Sequence, residues 1–274
     1  MFDLFNGELL RFRTWTLAAA MLHLLVLGFF SRLVDLAQQP LPVYQVFAIS
    51  YFLVGVLLGL YQMGSYRRPN QWLNLLHRPM HRLRIAGALA SACALLLLLA
   101  TALPIAVIAC YQDTMTARVL DLRHWLLPLA AWLVALCGYA AGAYAMLGNR
   151  RHSFAAMLLP NLFMFSTAFG LAMIAVQLCV LAYLGLLIAL AFRPDPMTPS
   201  RHPAAAIVAA LPVQVAAYFG LWMLGFAVEL GWTMSGTHPL SAPQAPKGGH
   251  IEADRADGKQ MLLLGLAGSR LAEA

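Results

Sequence analysis

Five arginines and two histidines crowd the segment QMGSYRRPNQWLNLLHRPMHRLRI, Gln62 to Ile85, which holds no carboxylate. Arg67, Arg68, Arg78, Arg82 and Arg84, with His77 and His81, form a cationic patch suited to lipid headgroups or to a partner's surface. Elsewhere, side chains able to do chemistry are sparse. Inside the apolar runs the polar candidates are His23, Asn161, Ser166, Thr167, Gln177 and Gln214. A lone histidine in such a run is more often hydrogen-bonded to a neighbouring helix than a ligand. A b-type haem would need two histidines on facing helices at matched depth. His77 and His81 lie on the basic segment and His124 at the edge of a run, so His23 has no evident partner. There is no GxSxG, no HExxH and no carboxylate pair near the end of a run, so nothing marks a membrane-embedded hydrolase. Cys93, Cys110, Cys137 and Cys179 sit in or at the ends of apolar runs without CxxC spacing and read as small hydrophobes. The expectation is a chain with no catalytic residue, metal or cofactor of its own.

The elements that position these residues follow from composition. At 61% hydrophobic and 11% charged residues, the chain is too apolar for a soluble core. The excess lies in blocks long enough to cross a bilayer, about 20 helical residues each. The net charge of +7 comes from arginines in short segments beside those blocks, a topology signal rather than a nucleic-acid footprint. The expected fold is all-α: a polytopic helical membrane protein preceded by an interfacial amphipathic helix at 1–14. Its spans lie near 15–31, 43–61, 85–110, 125–147, 154–171, 173–192 and 204–228, within a transmembrane domain of 15–230. Residues 231–274 then form a polar extracytoplasmic tail, whose composition suggests an incomplete outer domain.

The count of seven turns on Phe154–Phe192, which carries no charge. As one helix it would be about 58 Å long, nearly twice the hydrocarbon thickness. Two crossings fit, with the turn near Gly170; a single crossing would leave six spans. With the N-terminus inside and two crossings, Arg11, Arg13, Arg67, Arg68, Arg78, Arg82, Arg84, Arg150, Arg151, Arg193 and Arg201 are cytoplasmic. The outer loops between spans then hold only Arg32, Arg118 and Arg123, the asymmetry that the positive-inside rule describes. Gly55 and Gly59, Gly87 and Ser91, and Gly138 and Gly142 repeat small residues at four-residue spacing, which lets helix backbones approach closely. Pro104, Pro128, Pro160 and Pro212 lie within spans, where each removes a backbone bond.

Two amphipathic pieces remain. Phe2, Phe5, Leu9 and Phe12 share one helical face at the N-terminus. Between Pro69 and Pro79, a short helix places Trp72, Leu75 and Leu76 on one face, with Asn70 as a cap. That helix either rests in the membrane interface or fits a groove on a partner.

The order of these features resembles the permease subunit of ABC-2-type ABC transporters over about the first 100 residues. Shared are the N-terminal amphipathic helix, two spans, and a basic loop with a short helix ending in LLHRP. In that family this loop carries a coupling helix that docks on a separate ATPase, often in a stretch with Arg followed by Leu-Leu-x-x-Pro. Arg67 or Arg68, Leu75, Leu76 and Pro79 match it. The family's acidic residue and Gly-Thr pair are absent between Ser65 and Trp72, and six spans are usual there.

The resemblance implies coupling to an ATPase through Arg67, Arg68, Trp72, Leu75, Leu76, Arg78 and Pro79. It also implies a homodimer or a pairing with a second permease. The expected function is an inner-membrane permease subunit of an ATP-driven export system, N-terminus cytoplasmic and C-terminus extracytoplasmic. Lacking buried charge, it would move a hydrophobic or amphipathic substrate. The alternative is a structural or assembly subunit whose loop binds lipid headgroups, and after that a membrane-embedded enzyme or cytochrome. The lipid bilayer is a partner in every case; nucleic acid is not.

Overall fold

A computed structural model describes residues 2–33, 41–77, 79–116, 120–148, 152–160, 170–193 and 203–235. Among these every regular element is a helix, and six helices are long and apolar enough to cross a membrane. The chain is an all-α, multi-pass membrane protein. It divides into two compact units, Met1–Ala216 and Ala217–Ala274.

In the first unit α1 runs from Phe2 to Leu33. The interfacial segment expected at 1–14 is continuous with the first span, because no proline interrupts it. Asp3 in its first turn and Arg32 in its last suit the helix dipole. The face turned to the bundle is Leu4, Glu8 and Phe12, at four-residue spacing, while Phe2 stays exposed. Helix α2 (Leu41–Tyr66) ends where α1 begins. Helix α3 (Pro69–Leu76) starts with Pro69 at its first position; Arg68, not Asn70, holds the cap position. A rod follows, built from α4 (Arg82–Leu97), a π-helical turn (Leu98–Ala102) and α5 (Leu103–Met115). Then come α6 (Leu122–Leu147), a 3₁₀ turn (Ser153–Leu158), α7 (Leu171–Ala191) and α8 (Pro203–Met234).

The bundle is organised on α6, the span whose residues are most completely buried. Against it α2 packs with its glycine face. A β-carbon at Gly55 would fall on the Ala135 carbonyl and one at Gly59 on the Tyr139 carbonyl. Reciprocally, one at Gly138 would meet the Phe52 carbonyl, and one at Gly142 the backbone of Val56. Both expected small-residue pairs therefore interlock, each in the other's groove. Gly87, in the third pair, has open space where its side chain would be.

Helix α7 runs parallel to α6. The Cys137 thiol lies 3.6 Å from the Gln177 carbonyl, and both helices end towards α3: Arg67 donates to the Met146 carbonyl and Phe192 packs on Trp72. Gly148 and Gly170 therefore stand at different depths. Leu171 lies about level with Ala131, some 24 Å along the axis from Leu147 at 1.5 Å per residue. Of the intervening span expected at 154–171, Ser153–Leu158 is the 3₁₀ turn and 161–169 lie outside the described residues.

In the second unit the described residues are the continuation of α8. Trp222 stacks between Phe219 and Phe226, at 6.1 and 6.2 Å between ring centres. Of the expected tail 231–274, residues 236–274 lie outside the described residues.

Candidate functional site

The best-connected group of polar side chains lies where α1 begins, α2 ends and α3 crosses. Glu8 is 3% exposed and accepts from Gln62 Nε2 at 2.6 Å and from the Tyr66 hydroxyl at 2.6 Å. Arg11 Nη1 lies 3.5 Å from the same carboxylate, while Nη2 donates to Ser65 Oγ at 2.9 Å. Gln62, fully buried, uses its amide oxygen to accept from the Tyr139 hydroxyl at 2.7 Å. The Arg11 guanidinium also sits over the rings of Phe12, Tyr61 and Tyr66, at 5.0 to 5.8 Å. The chain Tyr139–Gln62–Glu8 thus braces α6, α2 and α1 together, and every partner of the carboxylate is a donor, as an ionised acid requires. Beside it opens a polar cleft of about 500 Å³ lined by Asp3, Glu8, Arg11, Tyr66 and Gln71, which brings α3 to the edge of the network.

Sequence reasoning missed this site: the N-terminal face of Phe2, Phe5, Leu9 and Phe12 does not include Glu8. One signal was available. Gln62 follows Gly55 and Gly59 at i+7 and i+3, on the very face that packs against α6.

Helix α3 has two faces. Trp72 is 8% exposed and packs on Phe192 with ring centres 5.2 Å apart; Leu75, 3% exposed, joins the core with Met63, Ile85 and Leu89. Both side chains are therefore spent inside this chain, available neither to lipid nor to a partner. Arg68, Asn70, Gln71, Asn74, His77 and Pro79 are exposed. Arg67 turns back to cap the C-terminal carbonyls of α6 through Met146. Arg78 and the side chain of Leu76 lie outside what is described. His81 caps α4 by accepting from the Leu83 amide.

The intramembrane polar residues divide by what they meet. His23 Nδ1 lies 2.9 Å from the Ala100 carbonyl, and Nε2 lies 3.0 Å from the Tyr51 hydroxyl. A carbonyl only accepts, so Nδ1 carries the proton and, in the neutral ring, Tyr51 donates to Nε2. Ala100 is four residues before Pro104, which has no N–H to give it. Tyr183 does the same for Val208, donating at 2.5 Å to the carbonyl four residues before Pro212. Each neighbouring helix supplies the donor that a proline withholds. Gln177 is 1% exposed, and its Oε1 has no hydrogen-bond partner. Gln214 is exposed on α8, and Asn161 lies outside the described residues.

A second cavity, about 290 Å³, opens among α1, α2, α5 and α6 and is almost wholly apolar. No group of three or more His, Cys, Asp or Glu side chains among the described residues could hold a metal ion. Comparison with known proteins finds no matching family model, no matching curated protein and no matching solved structure.

Proposed function

We propose that the chain is the permease subunit of an ATP-driven, ABC-type export system. It would move a hydrophobic or amphipathic substrate across the inner membrane, with its N-terminus cytoplasmic. The observation that carries this reading is the seating of α3. Its inner face is fixed by Trp72 and Leu75 to the C-terminal end of α7 and to the core residues of α2 and α4. Its outer face offers Arg68, Gln71, Asn74 and His77 to water. A force applied to that outer face by a cytoplasmic ATPase would pass through these packing contacts into the ends of three helices. The Glu8 network, at the same end, would carry it on to α1. The parallel course of α6 and α7 supports two crossings between Phe154 and Phe192, hence seven spans with the C-terminus outside. A dimer, or a pair with a second permease, would complete the translocation path.

The test is recovery of partners from native membranes in mild detergent. Because Trp72 and Leu75 are buried, the informative variant changes the exposed face: Arg68→Glu with Asn74→Glu. An ATPase recovered with wild type and lost with this variant, at unchanged thermal stability, supports a coupling helix. If neither form brings down an ATPase, the permease reading fails and a structural or assembly role takes its place.

A further inference from the structure

The apolar cavity has a shape and a setting that define what can fill it. Along α2 it reaches from Val43 to Tyr51, about 12 Å at 1.5 Å per residue, so it is elongated along the helix axes. Ala48, Ala130 and Ala131 line it, and the hollow exists because these side chains are small. Its opening is marked by Phe30 and Val43, which line it and are also 38% and 37% exposed on the bundle surface. In a multi-pass membrane protein that surface meets lipid. The lining includes two residues with polar side-chain groups, Tyr44 and Tyr51, and the Tyr51 hydroxyl is engaged by His23.

Each class of occupant can be weighed on those facts. A buried water needs two to four polar partners, more than this lining offers. A polar solute would give up its hydrogen bonds to water without replacement. A helix, roughly 10 Å or more across with its side chains, is too wide for a cavity of about 290 Å³. A flexible hydrocarbon chain gives up no hydrogen bond on entry from the bilayer, and the dispersion contacts that an empty lining forfeits offset the freedom it loses. Its volume is close to the lower end of small-molecule pockets, about 300 Å³.

We propose that the cavity among α1, α2, α5 and α6 is a binding site for the acyl chain of a membrane lipid, which enters sideways between Phe30 and Val43 and ends near Tyr51. The site is a property of this chain alone and does not depend on α3 meeting an ATPase.

The experiment uses the full-length protein in nanodiscs doped with a phospholipid carrying a diazirine on one acyl chain, and in parallel with a diazirine fatty acid. Crosslinked peptides are then mapped by mass spectrometry. Labelling should concentrate on the peptides holding Phe47–Tyr51 and Ile105, and excess unlabelled lipid should abolish it. It should be lost in Ala48→Leu and in Ala131→Leu but kept in Ala19→Leu, a change on the exposed side of α1. Which probe is captured tells whether the chain belongs to a phospholipid or to a free fatty acid. Labelling that spreads evenly over the exposed residues Leu17, Leu22 and Leu25, and that excess lipid does not displace, overturns the proposal. Should both wall variants fail to fold, competition on the wild-type protein decides.

Discussion

His23 of α1 holds the carbonyl of Ala100, 2.9 Å away, which Pro104 leaves without its helical donor. The π-helical turn at Leu98–Ala102 lies at this point, so the backbone irregularity, the proline and the histidine form one unit. Replacing His23 by Leu should destabilise the protein by about 1 kcal/mol or more, the net worth of a hydrogen bond with a buried acceptor left over. The cost should shrink in a Pro104→Ala background, where the new amide can serve Ala100 itself. Thermal unfolding of the two single variants and the double variant in detergent measures the coupling. Equal costs in both backgrounds would sink the account.

The glycines separate by the same kind of accounting. Gly59→Leu drives a side chain into the Tyr139 backbone and should cost about 3 kcal/mol, the upper range for overpacking. Gly87→Ala has open space to fill and should be neutral, or gain up to about 1 kcal/mol from helix propensity. Melting temperatures of the two variants, ranked against wild type, check the contrast. A destabilised Gly87→Ala would show that the third small-residue pair has a contact of its own.

What the sequence disclosed and what it hid have physical reasons. Spans announce themselves because lipid demands long apolar helices with every backbone bond satisfied internally. The glycine pairs of α2 and α6 were visible because small residues at four-residue spacing can only form one face. Their mutual engagement was not, since pairing depends on which helix lies beside which. Glu8 was hidden because its partners at 62 and 66 are more than fifty residues away, and a lone acid near an N-terminus looks solvated. The direction of Trp72 was ambiguous for a related reason: an apolar stripe on a short helix fits a membrane, a partner or the chain's own core equally well. Phe192, which decides it, lies beyond four further helices. The prolines were legible as broken bonds, but not the residues that mend them.

Asp121 supplies a pH dependence outside the spans. Its carboxylate caps α6, accepting from the Arg123 amide at 2.9 Å, with His124 Nδ1 2.8 Å from the same oxygen. The His124 hydrogen bond first, and the amide donors after it, hold its carboxyl below the ordinary value of 3.8. A depressed folded value means that the cap's contribution is complete above pH 3.8 and is lost as pH falls through the lower folded value. The carboxyl carbon of Asp121, followed by NMR, should titrate with a midpoint below 3.8. In Asp121→Asn the cap should persist without that acid step, because asparagine also caps helices. A midpoint at or above 3.8 would remove the histidine from the explanation.

Glu8 gives the sharpest prediction about the polar network, because its partners are all donors. Glu8→Ala strips acceptors from the buried Gln62 amide and from Tyr66 and removes the carboxylate beside Arg11, which should cost about 2 to 3 kcal/mol. Glu8→Gln keeps one acceptor oxygen for Tyr66 but turns an amide group towards Gln62. Gln62 cannot simply reverse in answer, since its own oxygen is held by Tyr139. The glutamine variant should therefore fall between wild type and alanine. Pairing it with Tyr139→Phe, which frees Gln62 to flip, should recover part of the loss. If Tyr139→Phe makes Glu8→Gln worse by its full single-variant cost, the three residues do not act as a chain. Unfolding midpoints of wild type, the three single variants and the double variant in one detergent decide between these outcomes.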